Sequence, residues 1–304
     1  MEYIQFEQEL KSQLLNNNAR KLIYKLVEAP YRFYSILSPL SFRTKLEQAF
    51  YRSQENKYYK FLTSCASNLF AKYGYKIMEN KISITKPIED NPETYIVQTA
   101  SFTHLFQNEE DKIIYAILQK KRDVYSAKES IKLLDKFKSN LLILAQGYQD
   151  YTIKGYLWFV ESEFRKNESY YHSNSVVQEE DSIKYSARYA SEIFRDFDHR
   201  EDWDEIELHI EKFKRQNYLD FIELPDLDTS QEALEALVEL SDSAWEKLNS
   251  PTPAYINVRK SVFNEANENS NLFKAIALRE IKLKAIDEDE FKLESMRLEN
   301  RNKQ

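Results

Sequence analysis

Three side chains in one stretch of the chain stand at spacings that chemistry can use. Gln119 and Lys121 lie two residues apart where the apolar run Ile113 to Leu118 ends, and His104 lies fifteen residues before Gln119. Residues i and i+2 of an extended segment share a face, so an amide and an ammonium emerge together as the run leaves a core. A lysine there can act on a phosphate or an attacking water, and such chemistry also needs oxygen ligands for a divalent metal. Cations follow at once. Residues 112–138 carry eight Lys or Arg against three acids, among them Lys120, Arg122, Lys128 and Lys132. That local excess suits phosphate contact. Further on, Lys166, Asn167, Tyr170 and Tyr171 can meet a nucleic-acid backbone or stack on bases. Each group also has an ordinary structural reading: a solvated strand end for Gln119 and Lys121, a hydrogen-bonded core histidine, a solvated helix face for the lysines.

The elements that must position these groups follow from periodicity. Residues 1 to about 80 read as helical, with Leu22, Ile23, Leu26 and Val27 on one stripe, Ser41 as an N-cap and Gly74 at a helix C-terminus. KIMENKISITK alternates as a strand does, ETYIVQTASFTHLFQ is β-branched and aromatic, and Asn108 to Asp111 form a polar turn. Ile113 to Leu118 then reads as a buried strand, SAKESIKLLDKFKSNLLILAQ as a helix, and TIKGYLWFVES as another buried strand. The segments from SIKYSARYASEIFRDF onward read as helices, broken at Pro225, Pro251 and Pro253. The expected fold is α/β: a small mixed β-sheet over roughly residues 75–162, flanked by N- and C-terminal helices. The regions 1–74, 75–175 and 176–304 are expected to form one compact domain.

Composition narrows the classes. The 304 residues are 42% hydrophobic, enough to bury a core and too many for wholesale disorder. Only three glycines occur, Gly74, Gly147 and Gly155, and they fit no phosphate-binding loop. The lone Cys65 excludes a disulfide framework and a cysteine zinc site. The four histidines lack metal-binding spacing. No apolar run is long enough for a membrane span, and the expected location is the cytoplasm. A net charge of −7 argues weakly against nucleic acid as a partner, but a whole-chain charge does not describe local patches.

The stretch SFTHLFQNEEDKIIYAILQKKRD, residues 101–123, is two strands joined by a polar turn, the second ending in a polar residue, any residue, then Lys. In this it resembles the active-site hairpin of type II restriction endonucleases of the PD-(D/E)xK nuclease superfamily. KKRDVYSAKES before a helix, and IKGYLWFVESEFRKNESYY after it, resemble further segments of these enzymes. The resemblance implies a nuclease-like core that hydrolyses a short specific duplex DNA site with Mg²⁺, and a homodimer matched to a palindromic site. It places catalysis at Gln119, Lys121 and His104, with Asp111 and Glu55 as metal ligands. DNA contacts fall to Lys120, Arg122, Lys128, Lys132, Lys166 and Asn167. The family pattern carries Asp where this chain has His104, and Glu or Asp where it has Gln119; with the register slipped by one, Leu118 and Lys120 take the two positions. Two other readings follow: a catalytically silent DNA-binding subunit working with a second subunit, and a helical protein-interaction module.

Overall fold

Gly74 closes the first helical stretch at a φ of 84°, a left-handed conformation that glycine adopts without steric cost, and two residues later the chain is extended. The computed structural model describes residues 1–88, 91–175, 183–217, 223–264, 266–267 and 269–301. Helices α1 (Tyr3–Leu15), α2 (Asn18–Glu28) and α3 (Phe42–Lys72) come first, with a 3₁₀ turn at Pro30–Arg32. The Ser41 hydroxyl accepts the Thr44 backbone N–H at the start of α3. Five strands follow: β1 (Lys76–Ile77), β2 (Lys81–Ile88), β3 (Asn91–Ser101), β4 (His104–Asn108) and β5 (Ile113–Lys120). Then come α4 (Ala127–Gly147), β6 (Thr152–Phe159), α5 (Glu168–Ser173), β7 (Ile183–Tyr189) and α6 (Glu192–Arg195). The C-terminal helices are α7 (Arg200–Asn217), α8 (Gln231–Val238), α9 (Asp242–Asn249), α10 (Pro253–Val262), α11 (Asn271–Lys284) and α12 (Glu288–Arg301). The protein is mixed α/β. No described helix is long and apolar enough to cross a membrane.

Two compact units divide the chain. The first comprises Met1–Phe6 and Tyr59–Gln216, the second Glu7–Tyr58 and Asn217–Gln304. The division differs from the expected regions 1–74, 75–175 and 176–304 because apolar faces far apart in sequence bury each other. In the second unit Leu22, Ile23, Leu26 and Val27 of α2 share a core with Ala233, Leu234, Ala236 and Leu237 of α8 and with Leu272 and Ala275 of α11.

The first unit holds a five-stranded sheet in the order β1-β4-β5-β6-β7. β1 and β5 run antiparallel to β4, whereas β5, β6 and β7 are mutually parallel. Helix α4 makes the crossover that a β5–β6 parallel pair requires. β5 is central, and Ile114 to Ile117 are buried. Leu134, Phe137, Leu141 and Leu144 of α4 pack with Ile114, Ala116, Ile153, Leu157 and Phe159. At Gly155 a Cβ would come within 2.7 Å of Leu141 Cδ1, so the Leu141 side chain would have to shift to admit a larger residue. The opposite face is aromatic, with Phe70, Phe106, Trp158, Phe194 and Trp203 in successive ring contacts.

Two expected elements take another form. SIKYSARYASEIFRDF, expected as a helix, contains strand β7, and the sheet therefore extends past residue 162 to Tyr189. Ile183, Tyr185, Ala187 and Tyr189 alternate as buried residues on the α4 side, a period-2 pattern that pairing with β6 makes decisive. ETYIVQTASFTHLFQ is two strands rather than one: β3 pairs with β2 in a separate two-stranded sheet, and after Phe102 and Thr103 the chain enters β4.

Candidate functional site

Register decides what the residues at the end of β5 can reach. His104 pairs with Ile117 across β4 and β5, and Gln119 stands two residues beyond Ile117, so both project from one face. Helix α3 presents Tyr59, Thr63 and Ser67 to them, residues spaced by four and therefore on one helix face. The result is a hydrogen-bonded ladder. Gln119 Nε2 donates to Thr63 Oγ1 at 2.9 Å, and the Thr63 hydroxyl donates to the Tyr59 carbonyl at 3.0 Å. This leaves Gln119 Oε1 toward the imidazole, 2.7 Å from His104 Nε2. His104 Nε2 therefore carries the proton, and Nδ1 accepts the Ser67 hydroxyl at 3.0 Å. The Gln119 backbone N–H is held by Thr103 Oγ1 at 3.0 Å.

The ladder is closed and neutral. His104 and Gln119 are each 4% exposed. The rings of Phe70 and Trp158 lie 5.4 and 6.2 Å from the imidazole. Burial lowers the His104 pKa to about 4, against the opposing hydrogen bond that the imidazole donates to Gln119. A neutral imidazole donating to an amide is a satisfied polar core, not a poised acid or base at pH 7.

Past the strand the two lysines part. Lys121 stands on the α3 side, its ammonium 5.1 Å from the Tyr59 ring centroid. Lys120 turns to the α4 side, where burial, then the charge of Lys136, lowers its pKa. Arg122 is exposed, ion-paired to Glu161 at 2.6 Å and 5.9 Å from the Phe164 ring. α4 begins with a capping box between Ser126 and Glu129. That start sets Lys128, Lys132 and Lys136 at i, i+4 and i+8, all exposed on one stripe. Among the described residues none of the three is in an ion pair. Lys166 is also exposed, and its charge reaches Glu129 together with that of Lys132.

Asn167, expected to contact DNA, is turned inward. Its backbone N–H and side-chain Nδ2 donate to Asp123 Oδ2 and Oδ1 at 2.6 and 2.7 Å, and Nδ2 also reaches the Tyr125 carbonyl. The Tyr189 hydroxyl adds a third donor to Asp123 at 3.1 Å. Asp123 is wholly buried. Burial, then the Asp123 charge, pushes the Tyr189 hydroxyl pKa far up. This node ties the chain segments that follow β5 and β6 to the end of β7. The residue types around Gln119 concealed it, although Asp123 stands in the quoted KKRDVYSAKES segment. The α3 hydroxyls were missed as well; their signal was the i, i+4, i+8 recurrence of Tyr59, Thr63 and Ser67.

The residues around Gln119 and Lys121 do not fit a magnesium ion. The ladder offers an imidazole, an amide and two hydroxyls, already committed to one another, and no carboxylate, whereas Mg²⁺ takes carboxylate and water oxygens. Asp111 is exposed beyond the opposite end of β5, accepting a bond from Asn108. Glu55 is exposed on the part of α3 that belongs to the second unit. Asp111 thus stands at the end of β5 away from the ladder. Among the described residues no group of three or more His, Cys, Asp or Glu side chains could share a metal ion. Comparison with protein families, with characterised proteins and with solved structures returns no match.

Proposed function

We propose that this protein binds duplex DNA through a nuclease-like core whose catalytic position is silent, as the DNA-binding subunit of a restriction-type system. The observation that carries the reading is the pairing of a sealed neutral ladder at His104 and Gln119 with an unneutralised lysine stripe on the adjoining helix. Lys128, Lys132 and Lys136 project about 6 Å apart along α4, and Lys120, Lys121, Arg122 and Lys166 add charge near its start. Release of counterions from about four phosphates would lower affinity about 100-fold between 50 and 200 mM salt. The ladder holds β4, β5 and α3 together and moves no proton to solvent.

A second reading, an active type II endonuclease, is favoured by one feature: Lys121 stays beside the ladder, next to Tyr59, and among the described residues it forms no ion pair. Purified protein incubated with unmethylated phage DNA in Mg²⁺, in Ca²⁺ and in EDTA separates the readings. Salt-sensitive binding without cutting in any metal supports the silent subunit. Cutting in Mg²⁺ that Lys121→Ala abolishes establishes the endonuclease and overturns silence. Absence of any duplex binding overturns both and leaves the helical interaction module.

A further inference from the structure

A second cluster of cations lies in the unit that lacks the sheet and forms no ion pair among the described residues. On α2, Lys21 and Lys25 stand one turn apart on the face opposite the buried stripe Leu22, Ile23, Leu26 and Val27. Arg32 follows in the 3₁₀ turn. The Lys25 ammonium reaches across to α3 and donates to the Ala49 carbonyl at 3.4 Å. Lys45 and Arg52 lie four residues before and three after Ala49, on the same side of α3. Among the described residues, none of these five cations forms an ion pair. Glu28 is exposed on the same stretch of α2 and is likewise unpaired. Lys25 is half-buried, and burial, then the charges of Lys21 and Arg32, lowers its pKa, so these cations repel one another.

We infer that the α2–α3 face bearing Lys21, Lys25, Arg32, Lys45 and Arg52 is a second surface for the phosphate backbone of duplex DNA. The inference rests on the DNA-binding reading above and adds a contact in the second unit. Self-repulsion among half-buried and exposed cations is relieved when phosphates supply negative charge. Contacts from lysine and arginine to phosphates contribute affinity and orientation irrespective of sequence.

The test is fluorescence anisotropy with a labelled 30-base-pair duplex, from 50 to 200 mM salt. It compares wild type, Lys21→Glu/Arg32→Glu, its milder form Lys21→Gln/Arg32→Gln, and Lys128→Glu/Lys132→Glu. Lys21 and Arg32 are both exposed, and circular dichroism checks that the variants remain folded. Each lost phosphate contact should weaken binding about tenfold near 0.1 M salt and lower the salt slope by about 0.9. Loss in the Lys21/Arg32 variants, graded from Gln to Glu, supports the inference. Unchanged affinity and slope there, with loss in Lys128→Glu/Lys132→Glu, overturns it while leaving the DNA reading intact. Failure of wild type to bind any duplex overturns the DNA reading and this inference with it. Binding to phosphatidylserine vesicles that the Lys21/Arg32 variants lose, without change in duplex binding, assigns the face to a membrane surface instead.

Discussion

Gln119 and Asp123 stand four residues apart, both buried, and the protein treats them in opposite ways. Gln119 sits in a neutral chain running from the Ser67 hydroxyl through His104 to Thr63 and the Tyr59 carbonyl. Asp123 sits among the Asn167 backbone N–H, the Asn167 amide and the Tyr189 hydroxyl, three donors converging on one carboxylate. A buried carboxylate is tolerated where donors satisfy it, and none stands where a metal would need one. The difference shows what the buried charge after β5 does: Asp123 fastens the segment that follows β6 and the end of β7 to its own segment.

The largest expected effect lies at the charged end. Asp123→Leu leaves two N–H donors and a tyrosine hydroxyl buried without an acceptor, and should cost about 3–5 kcal/mol. Urea denaturation followed by fluorescence measures it. A loss under about 1 kcal/mol would show that the node is not the fastening this comparison claims.

The neutral end should reveal itself through pH. The folded His104 pKa of about 4 lies below its ordinary 6.5, so between these values the unfolded chain takes up a proton that the folded chain refuses. Stability from this group is complete above pH 6.5 and drains away as pH falls toward 4, by on the order of 3 kcal/mol. Denaturation midpoints of wild type and His104→Gln, measured across that window, should converge as the pH falls. Parallel curves would mean that the imidazole is not buried and neutral.

Smaller effects sharpen the boundary between ladder and surface. Ser67→Ala removes the donor to His104 Nδ1 and should cost about 1 kcal/mol, again read by denaturation. Lys121→Ala, at an exposed side chain, should shift stability by less than about 0.5 kcal/mol. Its effect should appear instead in duplex binding, measured by anisotropy. A Lys121→Ala protein as destabilised as Asp123→Leu would place Lys121 in the architecture, beside the ladder instead of at the surface.

Much of the sheet was legible because burial on both faces writes a continuous apolar run. Ile113 to Leu118 and TIKGYLWF are such runs, and they form the parallel pair β5 and β6. β7 was harder. IKYSARY alternates with polar residues and precedes EIFRDF, so its serine, alanine and arginine fit a helix as well until β6 supplies a pairing edge. The division into units was illegible for a different reason: α2 and α8 lie some two hundred residues apart, and each shows only that it has an apolar face.

By itself the sequence determined the residue types and their local order: an amide and a lysine two apart, no carboxylate at either, a lysine stripe of period four behind a capping box. These depend on spacing along the chain, which backbone geometry converts directly into shared faces. Only the tertiary structure decided that His104 and Gln119 meet each other and not solvent. It also decided that Asn167 serves Asp123, and that α3 contributes the hydroxyls that close the ladder. Those outcomes depend on which faces bury one another, and burial separates a satisfied core amide from a ligand when the residue type is the same.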